Sequence, residues 1–241
     1  MANDIATYLK YANLQMAAEA IPLNSGISPD DLKAALLFGN NRSSKFTETQ
    51  ATDFSANWTV VEHKANTATG FSGTLFKNNA TNELVLSFRS TEFLDDNARD
   101  NKATNEMEIK AYGWAFGQIA DMEKWYAELN ADTSKLQGKS FAVTGYSLGG
   151  HLATAFGLLR QQEALTTPAS SPVTATYTFK YQRDGYTDKD IIGTKSKSPT
   201  FIGDARTARK CYTKSSCLRT IYLGCSAKKH LKLSTPRVGH A

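Results

Sequence analysis

The sequence predicts an α/β fold, with a mostly parallel central sheet flanked by helices and then a basic segment of different composition. Short β-branched and aromatic runs alternate with longer stretches of helical period, which is the pattern of βαβ units. One such run, Ser140–Thr144, leads through a glycine-framed serine directly into a stretch of small residues with helical character. The length of 241 residues and an apolar content of 41% are enough for one α/β domain with a sizeable core.

The elements follow in order. Residues 4–20 place Ile5, Leu9, Ala12 and Met16 on one helical face, with no Gly or Pro before Pro22. Ser28-Pro29-Asp30-Asp31 reads as a helix start: a capping hydroxyl, a proline in the first turn, then acids at the positive helix end. That helix is expected to pass through Leu32, Ala35 and Leu36 and to stop near Gly39. Trp58–Lys64, Phe71–Phe76 and Leu84–Phe88 read as strands, the last two joined by the turn-rich segment 78–82. Residues 104–130 read as one long amphipathic helix carrying Ile109, Trp114, Ile119, Met122 and Trp125. Ser140–Thr144 is a short buried-type strand, His151–Leu159 a helix, and Val173–Phe179 a further strand.

Gly145-Tyr146-Ser147-Leu148-Gly149 has the G-x-S-x-G pattern of a nucleophile elbow, and its context suits one: a strand before it, a helix after it. The chemistry explains the residue types. Ser147 must sit on a tight, strained turn with its hydroxyl above the sheet edge. Gly145 and Gly149 have no Cβ to strike the neighbouring strand and helix, and Gly150 eases their packing. The helix that follows aims N–H groups at a carbonyl on which negative charge develops.

Gly-Tyr-Ser-Leu-Gly-Gly at 145–150 resembles the Gly-His-Ser-Leu-Gly-Gly elbow of the fungal-type (class 3) lipases, a branch of the α/β-hydrolases. Leu84–Thr91 resembles that family's strand ending in Phe-Arg-Gly-Thr or -Ser, and Ala111-Tyr-Gly-Trp114 stands where it often has His-x-Gly-Phe. The segments occur in the family's order over roughly residues 55–180. Ser90 replaces the usual Gly and Tyr146 the common His; neither change removes a group the mechanism needs. The resemblance implies an α/β-hydrolase fold and a serine carboxylic-ester hydrolase acting on lipid esters, of lipase, carboxylesterase or phospholipase A1 type. It assigns Ser147 as nucleophile and Thr91 to the oxyanion hole, through its backbone N–H with the hydroxyl as a further candidate; Leu148 N–H, directly after the nucleophile, is the second donor. The acidic stretch 91–101 is where relatives lead into a lid, and here few apolar residues are available to build a large one. Arg89 is expected to pair with an acid such as Asp95 or Asp96.

The triad needs an acid and a histidine after the serine in chain order. His230 is preferred over His240 as base. Asp204, 57 residues after Ser147, is preferred as acid, with Asp184, Asp188 and Asp190 as alternatives. His151, immediately after the elbow, and His63, in a strand, read as structural. The tail does not look like the family around any of the late candidates. Residues 1–179 form the hydrolase-like core and carry 14 Lys and Arg against 19 Asp and Glu; residues 180–241 carry 14 against 4, a net of +10. The tail is either a divergent end of the same domain, a non-homologous stretch that leaves the triad incomplete, or a basic interaction segment. The second functional class is therefore an inactive relative, or one that binds lipid or anions. A weak contact of the tail with anionic membrane surfaces fits its charge, while no nucleic-acid module is recognisable.

The expected partner is a lipid or small ester substrate, with no metal or organic cofactor. Cys211, Cys217 and Cys225 match no zinc spacing and are expected to be free thiols. The sequence shows no cleavable secretory signal at residues 1–10 and no apolar run of transmembrane length.

Overall fold

A computed structural model of the chain describes residues 2–40, 45–92, 96–166, 172–182 and 190–196. These residues form a mixed α/β structure in three layers. The elements are α1 (Ala2–Ala18), α2 (Pro29–Phe38), α3 (Glu48–Asn57), β1 (Trp58–Lys64), β2 (Gly73–Asn78), β3 (Leu84–Phe88), a wide π-type helix (Asn97–Ile109), α4 (Lys110–Tyr112), α5 (Phe116–Asn130), β4 (Phe141–Tyr146), α6 (Leu148–Thr166), β5 (Val173–Gln182) and β6 (Asp190–Ser196).

The six strands lie in sequence order in one sheet. β3, β4 and β5 run parallel, while β1–β2, β2–β3 and β5–β6 are antiparallel. The expectation of a mostly parallel sheet is therefore corrected: the sheet is mixed, with its parallel part in the middle. Connection length is the physical reason. A parallel pair needs a crossover, which the wide helix with α4 and α5 supplies before β4, and α6 before β5. The links between β1, β2 and β3 are too short for one, so those strands fold back as hairpins. β5 runs on to Gln182 and β6 pairs along it, so the change of composition at residue 180 falls inside a strand.

Alternate side chains of the sheet go to opposite cores. Val60, Phe76, Val85, Ala142 and Ala175 pack with Leu14 of α1, Leu32 and Leu36 of α2, and Phe54 of α3. Leu75, Leu86, Phe88, Phe141 and Val143 pack with Met122 and Trp125 of α5 and Leu152 and Phe156 of α6. With both faces covered, the central strands bury nearly every residue, which is why they read as mostly apolar runs without strict alternation.

Local chemistry sets the helix ends. The Ser28 hydroxyl accepts the Asp31 N–H, with Pro29 in the first turn, as expected for α2. Thr47 and Gln50 form a reciprocal capping box that starts α3. The single helix expected over 104–130 is two helical segments. Gly113 takes a left-handed conformation (φ 88°), ends α4, and lets the chain restart at Phe116. The first segment begins earlier, at Asn97, and is wide: the Lys110 N–H bonds the Asn105 carbonyl, five residues back. No helix among the described residues is long and apolar enough to cross a membrane.

Candidate active site

Because β3 and β4 are parallel neighbours, with Phe88 opposite Gly145, their carboxyl ends bring two sequence segments to one edge of the sheet: Arg89–Thr91 and Ser147–Leu148. Open crevices at the carboxyl ends of parallel strands are the usual place for ligands in α/β sheets.

Ser147 follows β4 directly and is exposed, with φ 51°. A non-glycine residue in that region is strained, and holding a serine there takes neighbours that leave the backbone no alternative. Two glycines meet that need. A Cβ on Gly145 would lie well inside 3.0 Å of the Gly149 carbonyl, and one on Gly149 equally close to the Phe88 carbonyl. Strand β4, helix α6 and strand β3 thus touch backbone to backbone on both sides of the serine. The Ser147 carbonyl accepts the His151 N–H (3.0 Å), so α6 winds up from the serine's own peptide group. Leu148, the first residue of α6, has its side chain buried in the core.

Thr91 is buried, and its hydroxyl accepts a hydrogen bond from Asn105 Nδ2 (3.0 Å) in the wide helix. The peptides on either side are held by carboxylates. Ser90 N–H donates to Glu19 Oε1 (2.8 Å), and Glu92 N–H donates to Asp100 Oδ2 (2.8 Å). Arg89 is buried and pairs with Glu92 (3.2 Å), while its Nε and second terminal nitrogen donate to the Ala18 and Ala20 carbonyls (3.1 Å each). The expected pairing with Asp95 or Asp96 is corrected for Asp96, which bonds Arg99 instead (2.7 Å); Asp95 lies outside the described residues. The spacing explains the choice: at i+3 Glu92 stays beside Arg89 on the strand end, whereas Asp96 is already at the start of the wide helix.

These acids form a dense group. Oxygen atoms of Glu92, Asp96 and Asp100, all buried, lie within 4.8 Å of one another, a spacing that could hold a cation. Donors already answer most of them: Arg89 and Asn66 at Glu92, Arg99 at Asp96, and Gln118 and the Glu92 peptide at Asp100. Two guanidinium groups in contact supply positive charge, so the group is better described as a compensated buried network. Burial raises the Asp100 pKa to about 7; the Glu92 N–H bond counters this and the Asp96 charge adds to it. Burial likewise raises Glu19, opposed by the nearby Arg89 charge and by the Ser90 bond.

His151 and His63 are both engaged in the framework, as expected. Nε2 of the buried His151 accepts the Ala115 N–H (3.2 Å), its ring packs on Trp114 with centroids 5.3 Å apart, and burial lowers its pKa to about 4. His63 bonds Thr74 Oγ1 (2.9 Å); burial, helped by the Arg89 charge, lowers it to about 4. Asp204, Asp184, Asp188, His230 and His240 lie outside the described residues, as do the three cysteines; Asp190 opens β6, opposite Gln182. The structure thus brings Ser147, Leu148 and Thr91 to neighbouring strand ends. Sequence reasoning missed Glu19, Asp100 and Asn105 around Thr91. Of these only Asp100 and Asn105 had a local signal, the polar run after the strand.

No family model matches the chain, and no curated protein matches it. A solved structure to which it is similar is a lipase propeptide complex from Rhizomucor miehei, in the form of a deletion mutant. The identity is 14% and the TM-score 0.37; the likeness covers 75% of this chain and 52% of that one, so the chain spans about half the length of the solved chain.

Proposed function

We propose that this chain is a serine carboxylic-ester hydrolase of α/β-hydrolase type, acting on lipid esters through an acyl-enzyme on Ser147. The observation that supports it most is the backbone at Ser147. A strained, positive-φ serine projects into solvent between two glycines that admit no Cβ, at the mouth of a parallel β–helix turn. A plain strand-to-helix connection has no use for strain at a serine.

In this reading Ser147 Oγ attacks the ester carbonyl and passes its proton to an imidazole. The oxyanion that forms is met by the Leu148 and Thr91 N–H groups. As the tetrahedral intermediate collapses, the C–O bond to the alcohol breaks and the imidazole protonates the leaving oxygen. Water, deprotonated by the same imidazole, then releases the carboxylic acid and restores Ser147. His230, oriented by Asp204, is the base in this proposal, ahead of His240. His151, buried, and His63, half-buried, are engaged in framework contacts and do not compete for that role.

The second reading is a relative without turnover that binds lipid or anions. It draws support from the same fact, since both described histidines are committed elsewhere and the base must come from the tail. Labelling with a fluorophosphonate separates the two. A competent nucleophile gains one adduct on the peptide containing Ser147, and the rate drops at least about a hundredfold in His230→Ala. Absence of any adduct, in wild type and Ser147→Ala alike, favours the binding reading.

A further inference from the structure

We infer that Glu19, in the turn that closes α1, is a positioning residue for the proposed oxyanion hole: its carboxylate fixes the Ser90 peptide and through it the Thr91 N–H. The inference rests on the reading of Thr91 as an oxyanion donor and adds the residue that sets its place.

Glu19 is 4% exposed and stands 71 positions from Ser90 in sequence, yet accepts the Ser90 N–H at 2.8 Å. Its Oε1 also receives Gln15 Nε2 (2.7 Å), which orients the carboxylate from the preceding helical turn. Arg89 crosses the same gap in the opposite sense and closes the open carbonyl end of α1 through Ala18 and Ala20. Residues 89–90 are therefore bound to residues 18–20 by three hydrogen bonds, two of them from a charged donor and one to a charged acceptor. Such bonds are shorter and stronger than neutral ones.

A buried carboxylate is costly, and its chain neighbours Ala18 and Ala20 belong to the apolar core, where a hydrophobic side chain is the cheaper occupant. What the acid supplies that a hydrophobe cannot is an acceptor for a strand-end amide. The Ser90 and Glu92 amides, on either side of Thr91, are both held by buried carboxylates, so little freedom remains for the peptide between them. An oxyanion donor must be placed in advance, because displacement of about 1 Å can cost on the order of a hundredfold in rate. Since both of the bonds described end on one oxygen, an amide oxygen can replace it, whereas a thioether cannot.

The test is steady-state hydrolysis of p-nitrophenyl butyrate by wild type, Ser147→Ala, Glu19→Met and Glu19→Gln, with thermal melts to establish folding. Glu19→Met is expected to lose at least about tenfold in kcat with KM within about twofold, and Glu19→Gln to stay within about threefold of wild-type kcat. A folded Glu19→Met with wild-type kcat overturns the inference. So does a Glu19→Gln as impaired as Glu19→Met, which would point to charge balance with Arg89 rather than to the acceptor. Should Glu19→Met not fold, Gln15→Leu replaces it: kcat about threefold lower at constant KM is expected, and unchanged kcat overturns the inference. A wild type no faster than Ser147→Ala removes the hydrolase reading itself and the inference with it. An active wild type with an indifferent Glu19 removes the inference alone.

Discussion

Two strand ends meet at the candidate site, and they are held in different ways. At the end of β4, Gly145 and Gly149 bring backbones so close that no side-chain atom fits, and Ser147 is left in a left-handed conformation. At the end of β3, the contacts are electrostatic: Arg89 and Arg99 among Glu19, Glu92, Asp96 and Asp100, nearly all out of water. The first end is fixed by steric exclusion between backbones, and burial keeps the histidine beside it, His151, neutral. The second is fixed by charges clustered within residues 89–100 and by one distant acid, Glu19, and charge can be titrated. Under the proposed function, a nucleophile needs one unchanging direction and an oxyanion donor needs its peptide aimed, and the two kinds of constraint suit those two tasks.

The largest effect should fall on the electrostatic end. Arg89→Met leaves Glu92 and Glu19 buried without their guanidinium and is expected to lower unfolding stability by about 4 kcal/mol in urea melts. A loss below about 1 kcal/mol would show that these acids are neutral in the folded chain, and the comparison would lose its basis.

At the steric end, Gly149→Ala drives a Cβ into the Phe88 carbonyl and should cost about 3 kcal/mol, with strands and helix forced apart. The control is Gly138→Ala, where a Cβ meets open space and the cost expected is only the backbone strain of a positive φ (+72°), about 1 kcal/mol. Equal losses in the two variants would mean that close packing is not what fixes the elbow.

Acid should act on the two ends with opposite sign. Asp100 holds its proton up to about pH 7 when folded but ionises near 3.8 when unfolded. Between those values the folded state binds more protons, so this group's contribution falls as pH rises, by up to about 1.4 kcal/mol per unit. His151, beside the elbow, stays neutral down to about pH 4 against 6.5 unfolded, so its contribution rises over that window and is lost in acid. Stability curves from about pH 4 to about pH 8 should therefore differ from wild type in opposite directions: Asp100→Asn removes a decline with rising pH, and His151→Gln removes an increase. Curves that shift the same way would contradict the assignment of charge to one end.

The difference also explains what can be read from the sequence. The elbow is a short contiguous pattern between a strand and a helix, so its serine, its glycines and the first residue of α6 are legible. The strands are too, because burial on both faces leaves largely apolar runs such as Leu84–Phe88, broken only by Ser87. The electrostatic end is not. Nothing near residue 19 announces a partner at residue 90, and Arg89 is followed by three acids, Glu92, Asp95 and Asp96, among which only the course of the chain after the strand decides. The same limit applies to Gly113: its neighbours keep an amphipathic helical pattern, and only the left-handed turn divides it. The smallest effect expected here is at the cap of α3, where Thr47→Ala should cost about 1 kcal/mol. A loss near zero in the urea midpoint would show that packing of Phe54, not the cap, holds that helix.

The most direct test of the account is hydrolysis of short- and long-chain p-nitrophenyl esters by purified protein beside Ser147→Ala. Turnover is expected in the wild type and should disappear in the variant while both melt alike, since the serine is exposed. Equal rates in the two proteins, at any chain length, would contradict it and leave the strained serine without the chemistry proposed for it.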